Sequence, residues 1–272
     1  LLADNLSILV DEVYGAPGEY QGAAVLLATV CFAFQIYYDF SGYSEIAIGA
    51  AKIMGIDLMQ NFRTPYFAAS IREFWTRWHI SLSTWFRDYV YIPLGGSRVG
   101  PLRWMANIAA VFMISGLWHG ANWTFVVWGA LHGLYYISEK KFLAGVDGLA
   151  EGKGLAAALV RTARVLITFG LVCLAWVFFR AVSVSDACDA LGRIFYSWRA
   201  GAPCPASGGD AAVFLLMAVA FEVWGLLSPR LEAAYAGRMG WRGVVLGARI
   251  AAVLAFLSLG NFGARQFIYF QF

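Results

Sequence analysis

Six apolar runs dominate this 272-residue sequence: Gly22–Tyr38, Trp104–Trp118, Trp123–Ile137, Val165–Phe179, Ala211–Leu227 and Val244–Phe262. A helix needs roughly 20 apolar residues to cross the ~30 Å hydrocarbon layer of a membrane, and about 17 is near the lower limit. The first, fifth and sixth runs meet that length. The fourth does so if Arg161, Arg164 and Arg180 snorkel at its ends. The second and third hold only 15 residues each, so each arm is about 22 Å long at ~1.5 Å per residue. They predict a helical hairpin whose tip, His119-Gly120-Ala121-Asn122, stops inside the membrane and faces protein or water. Ile46–Met59, interrupted by Gly49, Lys52, Gly55 and Asp57, reads as re-entrant or buried.

Composition agrees. Charged residues make up 14% of the chain against roughly 25% in soluble domains. Twenty bases and seventeen acids cannot cover a globular surface of this size, which excludes a soluble enzyme, a disordered chain and a secreted disulfide scaffold. The expected fold class is all-α: a polytopic membrane helical bundle with re-entrant and short helices around a central funnel. Residues 1–272 read as one membrane domain. Residues 22–137 carry the chemical motifs, and residues 138–272 supply further transmembrane helices. The first residue is Leu1 rather than Met, so the chain reads as the later part of a longer protein.

Charge between the runs sets an orientation. Residues 1–21 hold four acids and no base, and residues 52–103 hold seven bases against three acids. Residues 139–164 and 228–243 are also net basic, while 180–210 are balanced. Placing 52–103, 139–164 and 228–243 in the cytoplasm satisfies the positive-inside rule throughout. A net charge of +3 gives no reason to expect nucleic acid. Cys31 and Cys173 fall in apolar runs as buried small side chains. Cys188 and Cys204 share a polar segment that permits a disulfide only outside the cytoplasm.

Three histidines, His79, His119 and His132, all lie among apolar or aromatic neighbours. Ionisable groups at membrane depth are costly and are candidates for function, although a lone buried histidine is more often structural. His119 stands out because Gly116 and Gly120 allow close approach at the hairpin tip. Burial without a nearby acid keeps it neutral and able to accept a proton. His132, in mid-arm, reads as structural. In Tyr66–Gly96, helical spacing puts Trp75, His79 and Leu82 or Ser83 on one face, with Arg72 and Arg87 off it. That pattern also suits a plain interfacial helix. No metal site is expected, because no Cys or carboxylate accompanies the histidines at ligand spacing. Hydrolase elbows, Walker loops and dinucleotide fingerprints are absent.

The segments Gln35-Ile36-Tyr37-Tyr38-Asp39-Phe40-Ser41-Gly42-Tyr43-Ser44, Asn61-Phe62-Arg63-Thr64-Pro65-Tyr66, Phe74–Gly96, Gly116-Leu117-Trp118-His119-Gly120 and Phe267–Phe272, in that order, resemble the membrane-bound O-acyltransferases. Within them the likeness is to the bacterial alginate O-acetyltransferase branch, and the teichoic-acid D-alanyl transferase branch shares many of these motifs. The resemblance implies a multi-pass enzyme of the bacterial inner membrane with its catalytic histidine at His119 and its second polar position at His79. It implies an acyl-thioester donor such as acetyl-CoA, no permanently bound cofactor, and an exported polysaccharide acceptor, reached through periplasmic acetyltransferase partners. In this reading His119 takes the proton of the attacking hydroxyl, and His79, beside Trp78 or Trp118, binds or polarises the thioester carbonyl. Trp78, Trp118, Arg77, Arg87 and Asn122 are the expected donor-binding residues. The two arginines have a second reading as membrane-surface anchors. A transporter or a non-catalytic scaffold for polysaccharide acetylation remains the alternative from another class.

Overall fold

The computed structural model describes residues 1–142, 152, 154–198, 205–235 and 239–259, and all regular structure among them is helical. In chain order the helices are α1 (Leu2–Gly15), α2 (Gly22–Ile53), α3 (Ile71–Arg77), α4 (Ile80–Phe86), α5 (Pro101–His119), α6 (Trp123–Phe142), α7 (Leu155–Arg180), α8 (Val184–Tyr196), α9 (Gly208–Tyr235) and α10 (Met239–Leu259). Short 3₁₀ turns at Pro17–Glu19 and Pro65–Phe67 and a π turn at Arg87–Tyr91 join them. By length and composition α2, α7 and α9 can each cross a membrane.

Helix α1 lays Leu6, Leu9, Val10 and Val13 against Val25, Ala28 and Phe32 of α2, all nearly inaccessible. The centre of the bundle is aromatic: Tyr37, Phe62, Tyr66, Phe74, Trp78, Trp128, Trp176 and Phe179 form one continuous cluster of edge-to-face, tilted and stacked rings. Such pairs add ~0.5–1.5 kcal/mol each beyond the area they bury.

The hairpin forms, but its arms are longer than the apolar runs. Helix α5 has 19 residues and α6 has 20, so the arms are about 28 and 30 Å long. The polar residues left out of the runs, Arg103 at one base and Ser138, Glu139 and Lys140 at the other, continue the helices. The tip is level with the far end of α7, because Asn122 Nδ2 donates to the Val182 carbonyl oxygen at 3.0 Å. The arms therefore end beside the C-terminal end of α7. They approach backbone to backbone. A Cβ added to Gly116 would lie 2.3 Å from the Phe125 carbonyl oxygen, and one added to Gly129 would lie 2.3 Å from that of Phe112.

Other expectations change as well. The first run does not end at Tyr38, since α2 continues unbroken to Ile53 through Asp39 and Gly42. Residues 46–59 are therefore the last turns of α2 and a largely exposed tail, neither re-entrant nor buried. A turn at Gly55, with φ +77°, ends the helix there. Two arginines expected to reach out from the fourth run are tied to protein: Arg164 donates to the Ala69 carbonyl oxygen at 3.1 Å, and Arg180 pairs with Asp11 at 2.9 Å. The balanced segment after it contains α8, opened by a Ser183–Asp186 capping box. Cys31 and Cys173 are buried and Cys188 is exposed on α8. Cys204, the residues closing the sixth run and the Phe267–Phe272 motif lie outside the described residues.

Gly129→Ala should cost about 1–3 kcal/mol, the usual range for overpacking, because backbone must move to admit the new Cβ. Thermal unfolding in detergent checks this. Gly170→Ala in α7, whose added Cβ meets nothing within 4 Å, should melt at or above wild type.

Candidate active site

The segment expected as one helix with His79 on its face is broken at that residue. Helix α3 stops at Arg77, Trp78 is extended, and His79 is left-handed (φ 42°, ψ 56°) as the first residue before α4. A non-glycine residue in that region costs on the order of 1–3 kcal/mol. What holds it is a strap, Asn61-Phe62-Arg63, lying along the break. The Arg63 N–H donates to the Arg77 carbonyl oxygen and the Ile80 N–H to that of Asn61, both at 3.0 Å. The start of α3 is fixed from the hairpin, where Glu139 Oε2 accepts the Ile71 N–H at 2.6 Å and the Arg72 N–H at 3.4 Å. A carboxylate there also favours the positive end of the helix dipole.

The break turns His79 toward the hairpin tip. Its ring is edge-on to Phe40 (4.6 Å between centroids) and to Trp118 (6.4 Å). His79 is 9% exposed, and burial pushes its imidazole down to about 4, so it is neutral at ordinary pH. His119, the last residue of α5, is half-buried. Its ring meets Trp118 at 5.0 Å, Trp128 at 5.1 Å and Phe179 at 5.1 Å. The two histidines, 40 positions apart, thus contact the same indole, and Trp118 remains 55% exposed. Chemically this is a pair of imidazoles in an aromatic, water-poor setting with one accessible stacking surface. That is suited to moving a proton from a bound hydroxyl.

A cavity of about 370 Å³ lies beside the pair, between α3–α4 and α5. Its lining includes Arg72, Arg87, Tyr91 and the aromatic Trp75, Phe112 and Tyr136, while neither His79 nor His119 is part of it. Ser83 and Ser115, also in the lining, each stand one helical turn from His79 and His119. Volume and lining suit a partly apolar ligand that carries an anionic group.

The remaining expected residues divide. Trp78 is 2% exposed and packs on Phe74, Phe62 and Trp176, so it serves the core and not a ligand surface. Arg77 is drawn away from the cavity into a pair with Glu73 and a bond to the Thr64 carbonyl oxygen. Arg72, not Arg77, is in the cavity lining. Arg87 lines the cavity while paired with Asp88 at 2.7 Å. Asn122 is a helix cap, its Oδ1 accepting the Thr124 N–H. His132 is fully buried among Phe74, Trp75, Phe112 and Trp128, and neither ring nitrogen has a hydrogen-bond partner among the described residues.

Two further residues contribute that carry no expected role. Asn61 is one: its side chain bonds Ser81 and Ser44, which no spacing rule signals. Glu222 is the other, 4% exposed in α9 and hydrogen-bonded by the Tyr37 hydroxyl. A lone acid inside an apolar run was its available signal.

The membrane-bound O-acyltransferase family model matches residues 10–149, a span that includes the strap, both histidines and the whole hairpin. The chain is 37% identical over 266 residues to the probable alginate O-acetylase AlgI of Pseudomonas aeruginosa, covering 98% of this chain and 43% of that protein. It is 38% identical over 191 residues to a peptidoglycan O-acetyltransferase of Helicobacter pylori (70% and 35%). It is 34% identical over 167 residues to a teichoic acid D-alanyltransferase of Streptococcus thermophilus (54% and 39%). The chain belongs to the membrane-bound O-acyltransferase family. It spans less than half the length of these curated relatives.

Glu139→Ala should leave two α3 amides without their acceptor at a cost of about 1 kcal/mol. Hydrogen exchange of the residue 71–73 amides should then rise roughly fivefold, with Glu139→Gln retaining most of the protection.

Proposed function

We propose that this chain is the catalytic part of an O-acyltransferase of the bacterial inner membrane, passing an acetyl group from a cytoplasmic thioester such as acetyl-CoA to hydroxyls of an exported polysaccharide. The observation that carries the reading is the meeting of His79 and His119 on Trp118, next to a cavity lined by Arg72 and Arg87. The relatives named as O-acetylases and O-acetyltransferases support an acetyl group and a glycan acceptor. The relative named as a D-alanyltransferase keeps D-alanyl transfer as the second reading. No cofactor is needed beyond the donor itself.

The proposed orientation puts residues 139–164 and 228–243 in the cytoplasm of a multi-pass protein, with residues 52–103 entering from that side and carrying His79 inward to Trp118 near the hairpin tip. The thioester enters the cavity with its phosphates at Arg72 and Arg87 and its acyl end toward Ser83 and Ser115. The acceptor, or a carrier belonging to a periplasmic partner protein, approaches from the hairpin tip. His119 takes the hydroxyl proton as the oxygen attacks the thioester carbonyl. The new C–O bond forms, the C–S bond breaks, and the proton passes from the imidazole to the leaving thiolate. Aromatic side chains exclude water, which protects the thioester from hydrolysis.

The test uses the complete protein in its host, with membrane levels followed by immunoblot. His119→Ala should reduce alkali-labile acetate on the exported polysaccharide by at least 10²-fold, the low end of what a positioned acid–base group contributes, at unchanged protein level. Arg72→Ala should act mainly by raising the donor KM. Undiminished acetate in His119→Ala would remove the transferase reading. Loss of ester-linked D-alanine in place of acetate would select the second.

A further inference from the structure

The contacts of Asn61 determine which nitrogen of His79 carries a proton. The backbone N–H of Ser81 can only donate, and it meets the Asn61 side chain at 3.1 Å. The atom it meets is therefore the amide oxygen Oδ1, which leaves Nδ2 to donate to Ser44 Oγ at 3.3 Å. The same Oδ1 lies 2.6 Å from Ser81 Oγ. An amide oxygen cannot donate, so the single hydroxyl proton of Ser81 sits on that bond. Ser81 Oγ also faces His79 Nδ1 at 3.4 Å. With its proton committed to Asn61, the hydroxyl offers Nδ1 only a lone pair, so a hydrogen bond between them takes its hydrogen from Nδ1; the ring also hydrogen-bonds the His79 backbone.

We infer that Asn61 is a positioning residue: acting through Ser81, it holds neutral His79 in the Nδ1–H tautomer and leaves the distal Nε2 as a bare proton acceptor. Asn61 is well placed to do so, because its backbone carbonyl oxygen also accepts the Ile80 N–H. One residue thus fixes both the turn that presents His79 and the proton on its ring. This replaces the carbonyl-polarising role that sequence analysis gave His79, since a neutral ring in this tautomer has no N–H at its distal nitrogen. His79 instead faces the site as a second acceptor beside His119, a partner for a hydroxyl or for the His119 ring. The consequence for catalysis rests on the transferase reading; the tautomer does not.

The experiment uses the complete protein in lipid nanodiscs with ¹⁵N-labelled histidine, the His79 signals being identified by their absence in His79→Gln. Two-bond ¹H–¹⁵N correlations should show a protonated Nδ1 and an unprotonated Nε2. Ser81→Ala keeps the backbone bond to Asn61, hence the turn, but removes the hydroxyl. It should shift the ring toward Nε2–H and lower kcat on the order of 10²-fold, with little change in donor KM; a wrong tautomer in a Ser-His-Asp triad costs about 10⁴-fold. Ser81→Thr should restore both tautomer and rate. Asn61→Leu, which frees the Ser81 proton for Nδ1, should shift the tautomer the same way as Ser81→Ala. An Nε2–H ring in wild type, or a tautomer unmoved by Ser81→Ala and Asn61→Leu, overturns the assignment. A tautomer that moves as expected in a protein whose acetylation survives His119→Ala leaves the assignment standing and removes only the transferase reading.

Discussion

The pairing of a three-residue strap with a broken helix holds the site together. Trp78 and His79 interrupt what would otherwise run as one interfacial helix, and at such an interruption backbone N–H and C=O groups lose their helical partners. Asn61 and Arg63 supply replacements from outside. Without them the left-handed conformation of His79 would have nothing to offset its cost. Phe62, between the two pairing residues, packs its ring on Tyr37, Phe40 and Trp78. The aromatic core and the strap therefore hold one another in register.

The hairpin supplies the other half of the site, and its precision comes from small residues. Gly116 and Gly129 let α5 and α6 approach to backbone contact, as helices in apolar surroundings do when packing must provide the attraction. Two polar ties then fix the hairpin lengthwise, Asn122 to the end of α7 and Glu139 to the start of α3. The α6 arm, tied at both ends, holds α5 against it and so presents Trp118 and His119 at a defined depth. The segment bearing His79 is tied to the same hairpin through Glu139.

Several residues expected at a ligand serve structure instead. Trp78, Arg77 and Asn122 carry side chains that stack, bind anions or hydrogen-bond, but each has its capacity taken up by a neighbouring ring, carboxylate or backbone group. Residue type announces what a side chain can do, and only the neighbours decide whether it is already doing it. Arg72 shows the converse. It falls off the histidine face of the sequence pattern and is no expected ligand residue, yet it lines the cavity.

Long, unbroken apolar runs with few charges mark this chain as an all-helical membrane protein, because a helix satisfies its own backbone in lipid and barrel strands would alternate. The sequence by itself also located the hairpin and singled out His79 and His119, because polar tips and histidines in apolar surroundings are visible as local exceptions. Helix lengths were underestimated at the hairpin and at Tyr38, since a helix continues through polar residues where tertiary partners or water satisfy them. Tertiary contacts are what separate α3 from α4, bring two histidines 40 positions apart to one indole, and bond Asn61 to the Ser81 that faces one of them. Those facts rest on hydrogen bonds and ring contacts between segments distant in sequence, and no periodicity or local propensity encodes such contacts.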